Sequence, residues 1–555
     1  MNFKKLIMLS ALLLGTFISV MDTTIVNIAL PKMLDYFSSN LSQVAWVATG
    51  YTLAFAVLLV GASKLADHFG RKKAFMFGLA LFILTSVIAC LSTSIEMLIT
   101  IRVIQGLSAA FIVPVTMPIA LAIVPQNKKG LIIGIWGAFS GLAATLGPVL
   151  GGLLTENFNW QAIFFINIPL GLISLFLAAF FITESYDETV SKKIDYMGIL
   201  ILSGALFCLT FGFAKVSDLG WSSPLIISLF VISVLLFCLF FFIESKIKNP
   251  MIPLSMLKIR TFSFSSFTLF MQGLGLTSGT LIITLLLTNL MGKTELEAGL
   301  IVSTLALSSM FTSVLSGKLS DKLGGIWLSG LGMLGLTITT YLYGYIRYDS
   351  SVTTVIILLC LTGLALGLVI GPAMSSGIRL IPPEKVGIAS GILNMMRTVG
   401  QALGIAILTS VLTMNINDHT ASAKKEAITI VENNQVFDKN AKNEIITHLK
   451  HSDSKGFDRR KSIAELNKKE EEILSITPDP YKEKVQKSFN TQKKEVIAIQ
   501  KKISNLYNEK ISDSFNNTFK VGSVILILGI IFALFSDISP KRLKQQQKNQ
   551  VDITP

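Results

Sequence analysis

Ser63-Lys-Leu-Ala-Asp-His-Phe-Gly-Arg-Lys-Lys73 and Gly317-Lys-Leu-Ser-Asp-Lys-Leu-Gly-Gly325 are two versions of one polar break. Each follows an apolar block long enough to cross a bilayer, a length of about 20 residues. Working outward from them, six such blocks lie between Leu6 and Thr183 and two between Tyr196 and Ile243. Five more lie between Phe262 and Met414, and a last one runs from Phe519 to Phe535. The repeated break follows the second block of each six-block set, so the chain parses as six spans, two inserted spans and six spans. Every backbone N–H and C=O in hydrocarbon needs a partner within its own segment, so each span is a helix. The expected fold is an all-α polytopic membrane protein of 14 transmembrane helices, and sixfold repeats of this kind pack as pseudo-symmetric bundles with a ligand site between them.

This reading divides the chain into an N-terminal six-helix bundle (1–183), two inserted helices with their linkers (184–261) and the C-terminal spans 9–13 (262–414). A long polar loop (415–518) and the last span with a basic tail (519–555) complete it. Composition agrees: 51% of the 555 residues are hydrophobic and 15% charged. The formal charge of +14 suggests nucleic acid only until the basic residues are located. With the N-terminus inside, 22 Lys and Arg fall in inner segments and 4 in the short outer loops. That bias places both termini in the cytoplasm and accounts for the basic charge without nucleic acid. Residues Asn415 to Asn517 fall outside by parity, with 19 basic and 16 acidic residues. Ile499, Ile503, Leu506 and Tyr507 mark an amphipathic helix there, interrupted upstream by Pro478 and Pro480.

Three charges lie deep in apolar blocks: Asp22 in span 1, Arg102 in span 4 and Arg397 in span 13. A charge at that depth costs a few kcal/mol or more, and calls for a partner or a water-lined cavity. Asp22 sits about 12 Å and Arg102 about 8 Å below the outer ends of their spans at 1.5 Å per residue, so the two can share a layer. Burial favours a protonated carboxylate and a guanidinium favours an ionised one, so a partner that approaches and withdraws would make Asp22 bind and release protons. A static salt bridge is the alternative. Asn27, in the same first span, and Gln105, one turn from Arg102, are the polar neighbours. Asn394 and Gln401 flank Arg397 by one turn on either side, either as packing glue or as cavity lining.

Span 5 carries Gly147, Pro148, Gly151 and Gly152. Small residues allow close helix approach and proline weakens the backbone ladder, which suits helices that rock, or equally a tight static contact. In the repeated break, Asp67, Gly70 and Arg71, echoed by Asp321, suit a turn that latches helix ends. Gly292-Lys293-Thr294 lacks the upstream glycine of a phosphate loop, which excludes ATP as a directly bound driver. An ion gradient remains, with one charge crossing ~100 mV supplying ~2.3 kcal/mol. The four cysteines and four histidines show no metal-site spacing, and no nucleophile with a base and an orienting group stands out. No cofactor and no catalysis are expected.

Together these residues resemble the major facilitator superfamily, and within it the fourteen-helix drug/proton antiporter branch, the QacA/EmrB-like group. Asp22 to Pro31, DTTIVNIALP, resembles the branch's first-helix signature. Lys64 to Lys73 resembles the superfamily loop motif, with Ser63 in place of its leading glycine. RVIQG at Arg102 to Gly106 resembles the fourth-helix motif, whose arginine the resemblance implicates in proton transfer. The glycines of span 5 resemble the antiporter motif, with Ala143 replacing one glycine.

The resemblance implies a secondary transporter of the cytoplasmic membrane that exchanges protons for small lipophilic substrates by alternating access; the expected partners are the substrate, protons and the lipid bilayer, and the chain is expected to act as a monomer. Asp22 is the lone acid deep in any span, which favours neutral or monocationic drugs and antiseptics over dications. Two other readings are an exporter of one endogenous metabolite, lipid precursor, peptide or amino acid, and a membrane-anchored sensor or assembly protein acting through the long loop.

Overall fold

The computed structural model describes residues 3–123, 129–186, 195–247, 250, 252, 254–381, 386–434, 436, 442–443, 445–447, 449, 474 and 478–537, without some of the side chains inside its helices, those of Asp67 and Asp321 among them. Within that set all regular structure is helical. The first half runs α1 (Phe3–Phe37), α2 (Leu41–Phe69), α3 (Arg71–Cys90), α4 (Ile95–Ala122), α5 (Lys129–Asn157), a short α6 (Ala162–Phe165) and α7 (Asn167–Phe181). The inserted pair is α8 (Tyr196–Leu219) and α9 (Pro224–Lys246). After α10 (Leu254–Leu257) the second half contains α11 (Arg260–Thr277), α12 (Ile283–Leu285), α13 (Glu295–Leu323), α14 (Gly325–Tyr343), α15 (Val352–Ile378), α16 (Val386–Glu432) and α17 (Asp479–Phe535). Thirteen stretches of the described chain are long and apolar enough to cross a membrane. The 29-residue α5, with Pro148 inside it, adds to them.

Helix starts follow local chemistry. Asn40 and Gln43 exchange side-chain and backbone hydrogen bonds at 2.8 and 3.3 Å and cap α2. Thr294 does the same with Glu297 at α13, both bonds 3.2 Å, so the Gly292-Lys293-Thr294 triplet is a helix start. The ninth span, expected as one helix to Leu290, contains π-helical turns at Ser278–Ile282 and Leu286–Leu290. Thr280, Thr284 and Thr288 each donate to the carbonyl four residues back, at 3.0, 2.6 and 3.0 Å. Hydroxyls that compete for the ladder carbonyls loosen a helix locally, which accounts for the wider turns.

The chain packs as two compact units, residues 1–345, 350–411 and 518–555 in one and residues 346–349 and 412–517 in the other. In the first, α1 and α4 are buried along most of their length, and α1 packs on α2, α4, α5 and α7. The second has its own core, in which Ala423, Ala427 and Val431 meet Val496, Ile499, Ile503 and Tyr507. The expected amphipathic face is this core, and its helix begins at Asp479, with Pro480 in the first turn where its missing N–H costs nothing.

Candidate functional site

The deepest polar cluster gathers side chains from α1, α2, α3, α4 and α7. Asp22 and Arg102 are 0% and 1% exposed. Arg102 Nη1 donates to Asp22 Oδ2 and, at 2.7 Å, to Gln105 Oε1, while its Nε donates at 3.0 Å to the Val47 carbonyl. Gln105 Nε2 is itself donated to Ser86 Oγ at 2.9 Å. Asn167, the first residue of α7, donates from Nδ2 at 3.0 Å to the other carboxylate oxygen of Asp22. The guanidinium carbon lies 4.3 Å from the Tyr51 ring centroid and 5.5 Å from that of Phe164. Tyr51 is fixed in turn by donating to the Ser19 carbonyl at 3.1 Å.

An ion pair buried this completely survives only when the lone pairs and protons left over are satisfied. Both Asp22 oxygens have a donor. Arg102 has two neutral acceptors besides Asp22, so it would keep partners if the carboxylate took up a proton. Gln105 is thus bonded into the cluster. Asn27 does not join it: five residues from Asp22 it points about 140° away around the helix, and its buried Oδ1 has no donor among the described residues. Asn167, Tyr51, Ser86 and Phe164 were invisible as partners in the sequence. Asn167 had one usable signal, an amide alone in the apolar run Ile163 to Leu172.

The glycines of α5 connect this cluster to the second half. A Cβ on Gly147 would collide with Thr24 Oγ1 and stand 3.1 Å from the Met21 carbonyl, one residue from Asp22. One turn on, Gly151 faces the Ile25 carbonyl at 2.8 Å, and Gly152 faces Glu295 and the Leu296 Cα of α13. Gly299 of α13 returns the contact against the Pro148 carbonyl. Polar ties close the same end: Leu296 N–H donates to Glu156 Oε2 at 3.2 Å and Lys32 pairs with Glu295 at 3.7 Å.

The repeated break is also a structural repeat. Gly70 and Gly324 both have positive φ, +114° and +86°, where a side chain is strained, and each N–H closes the preceding helix, on Ala66 and Ser320. Behind Gly70, the Glu184 carboxylate accepts from the N–H groups of Lys72 at 2.9 Å and Lys73 at 3.3 Å. Behind Gly324, Asp537 accepts from the Gly325 N–H at 2.7 Å and from Arg379 with both oxygens at 2.9 Å. Each half thus uses the acid just after its last span to hold the start of its third helix. The sequence reading assigned this latch to Asp67, Gly70, Arg71 and Asp321; the Asp67 and Asp321 side chains lie outside the described residues. Arg71 contributes its N–H, donated at 3.0 Å to the Ser185 carbonyl.

In the second half Asn394, Arg397 and Gln401 stand half-buried along one stripe of α16. Asn394 Nδ2 is turned onto the Ser390 carbonyl at 3.1 Å. The buried Nε of Arg397 has no acceptor among the described residues.

Apolar helices long enough to cross a membrane, a repeated polar break, a buried charge pair and a glycine-lined α5–α13 seam point to a membrane transport protein. Residues 12–405 match the family described as Major Facilitator Superfamily, and the chain belongs to that superfamily. It is 31% identical over 410 residues to the tetracenomycin C resistance and export protein of Streptomyces glaucescens, covering 74% of this chain and 76% of that one. To the multidrug resistance protein Stp of Mycobacterium tuberculosis (strain CDC 1551 / Oshkosh) it is 32% identical over 415 residues, with the same coverage. Its fold is similar to the inward-facing, occupied crystal structure of a bacterial homolog to the human lysosomal transporter Spinster, with a TM-score of 0.57 at 16% identity over 96% of this chain and 98% of that one. The protein is a multi-pass transporter of the cell membrane and not an enzyme.

Proposed function

We propose that the protein is a proton-coupled antiporter that exports lipophilic drugs or antiseptics from the cytoplasm by alternating access, with Asp22 carrying the proton. The names of two relatives, a tetracenomycin C export protein and a multidrug resistance protein, support drugs as cargo. The observation that carries the coupling is the arrangement of Asp22: fully buried, bonded to Arg102, and on the turn of α1 against which Gly147 packs.

A proton on Asp22 removes the charge that holds Arg102. Gln105 and the Val47 carbonyl keep the guanidinium bonded, so α1 is freed from α4 without leaving a bare cation. Because Met21, Thr24 and Ile25 carry the α5 glycines, movement of α1 is passed to the seam between α5 and α13. Proton and substrate then favour opposite facing states, as exchange requires, since a ligand shifts an equilibrium only by its differential affinity. With one acid deep in the spans, a dication finds one counter-charge, which supports neutral or monovalent lipophilic substrates.

The test is substrate-stimulated proton release from purified protein, followed with a pH indicator, for the native chain and for Asp22→Asn. Release is expected from the native chain alone, and equal release from both proteins would end this reading.

A further inference from the structure

Arg397 is a permanent cation eleven residues into α16, about 16 Å from the start of that helix. Its depth is set by backbone packing. Gly273 of α11 sits on the Arg397 carbonyl, and a Cβ there would be 3.1 Å from the Gln401 N. Gly400 sits on the Phe270 carbonyl in the same way. The backbone at Arg397 is therefore held against α11 and is not a free helix end.

Among the described residues, the buried Nε of Arg397 finds no acceptor. Asp22 is taken by Arg102 and Asn167. On the α16 stripe, the Asn394 amide is bonded to its own helix, and Thr398 donates to the Asn394 carbonyl at 2.9 Å. Glu384, outside the described residues, precedes Arg397 by thirteen positions. A half-buried guanidinium whose Nε has no acceptor is left incompletely satisfied, and its planar fork of donors fits a carboxylate in two parallel bonds. Taking the paired Asp22 and Arg102 as neutral together, the deep groups carry one net positive charge.

We propose that Arg397 is the recognition point for the carboxylate of an amphiphilic substrate, so that lipophilic carboxylates are preferred cargo, neutral analogues follow and monocations come last. This rests on the transport reading above and narrows its substrate class.

The test is equilibrium binding of three pyrene probes to the purified full chain in detergent at pH 7: 1-pyrenebutyrate, its methyl ester and protonated 1-pyrenebutylamine. The native chain is expected to bind the carboxylate at least tenfold more tightly than either analogue. Arg397→Gln is expected to bring the carboxylate-to-ester ratio within about twofold of one, and Arg397→Lys to retain part of the preference. Because each ratio is taken within one protein sample, partial misfolding of a variant does not change it. Absence of saturable carboxylate binding, equal or tighter binding of the ammonium probe, or an unchanged ratio in Arg397→Gln overturns the proposal. No proton gradient is involved, so failure here is distinguishable from failure of the Asp22 proton-release test.

Discussion

Asn167 donates to the Asp22 oxygen that Arg102 leaves open, so two helices, α7 and α4, hold one carboxylate of α1 from opposite sides. A hydrogen bond to a charged group contributes about 1.5–3 kcal/mol. Asn167→Ala removes such a donor without removing a charge. It is expected to lower the thermal unfolding temperature of the purified protein and to slow gradient-driven exchange in proteoliposomes, each by less than Asp22→Asn does. Native stability and native rate would show that the α7 amide does not help to hold the carboxylate.

Asp22→Asn has a different signature from loss of the amide. It leaves Arg102 its two neutral acceptors but no counter-charge, and breaking a buried pair from one side costs up to about 3–5 kcal/mol. Uphill transport driven by a pH gradient should vanish, together with a fall in thermal unfolding temperature. Loss of stability with gradient-driven transport intact would mark the pair as structural.

Gly152 offers a test of the seam. A Cβ there meets backbone of Glu295 and Leu296, which cannot swing aside as a flexible side chain does. Gly152→Val is expected to lower the transport rate at least tenfold while the protein still inserts and purifies. Near-native rates would mean that α5 and α13 need not approach this closely during the cycle.

The duplicated acids at the ends of the two halves make a matched pair of predictions. Glu184→Ala removes the acceptor of two α3 N–H groups, and Asp537→Ala removes that of one α14 N–H and of Arg379. Losing a helix-start acceptor costs about 0.5–2 kcal/mol, and Asp537→Ala also removes two charge-assisted hydrogen bonds from Arg379. Both variants should unfold at lower temperature than the native chain, Asp537→Ala by the larger margin, in a thermal scan of purified protein.

The charge of the cargo is open to an electrical measurement. One proton in against one monoanion out moves two charges, against one for a neutral substrate and none for a monocation. At ~100 mV those exchanges draw about 4.6, about 2.3 and no kcal/mol from the potential. Exchange of 1-pyrenebutyrate should therefore respond to an imposed potassium-diffusion potential more steeply than that of its methyl ester. Equal responses would contradict carboxylate export as the anion.

Much of this molecule is legible in its sequence. The apolar blocks had to be helices, the two breaks announced two halves, and Asp22 and Arg102 stood out because charge in hydrocarbon is expensive. Asn27 was grouped with them by sequence nearness, and the helical turn carries it to another face. Nothing in the sequence sets Glu184 and Asp537 apart from other acids near span ends; only their bonds to helix starts more than a hundred positions earlier give them a role. The Thr280, Thr284 and Thr288 spacing was present in the sequence, yet the π-helical turns emerge only when those hydroxyls are seen on the backbone carbonyls.

By itself the sequence determined span number, pseudo-repeat and the residues that must be compensated, because each follows from hydropathy, spacing or the cost of a buried charge, all properties of a segment alone. Tertiary structure alone decided who compensates whom. Asn167 rather than Asn27 completes the Asp22 site, the α5 glycines bind α1 to α13, and Arg397 finds no carboxylate among the described residues. Those are matters of distance between helices far apart along the chain, and the interhelical packing that sets them is written in no single stretch of it.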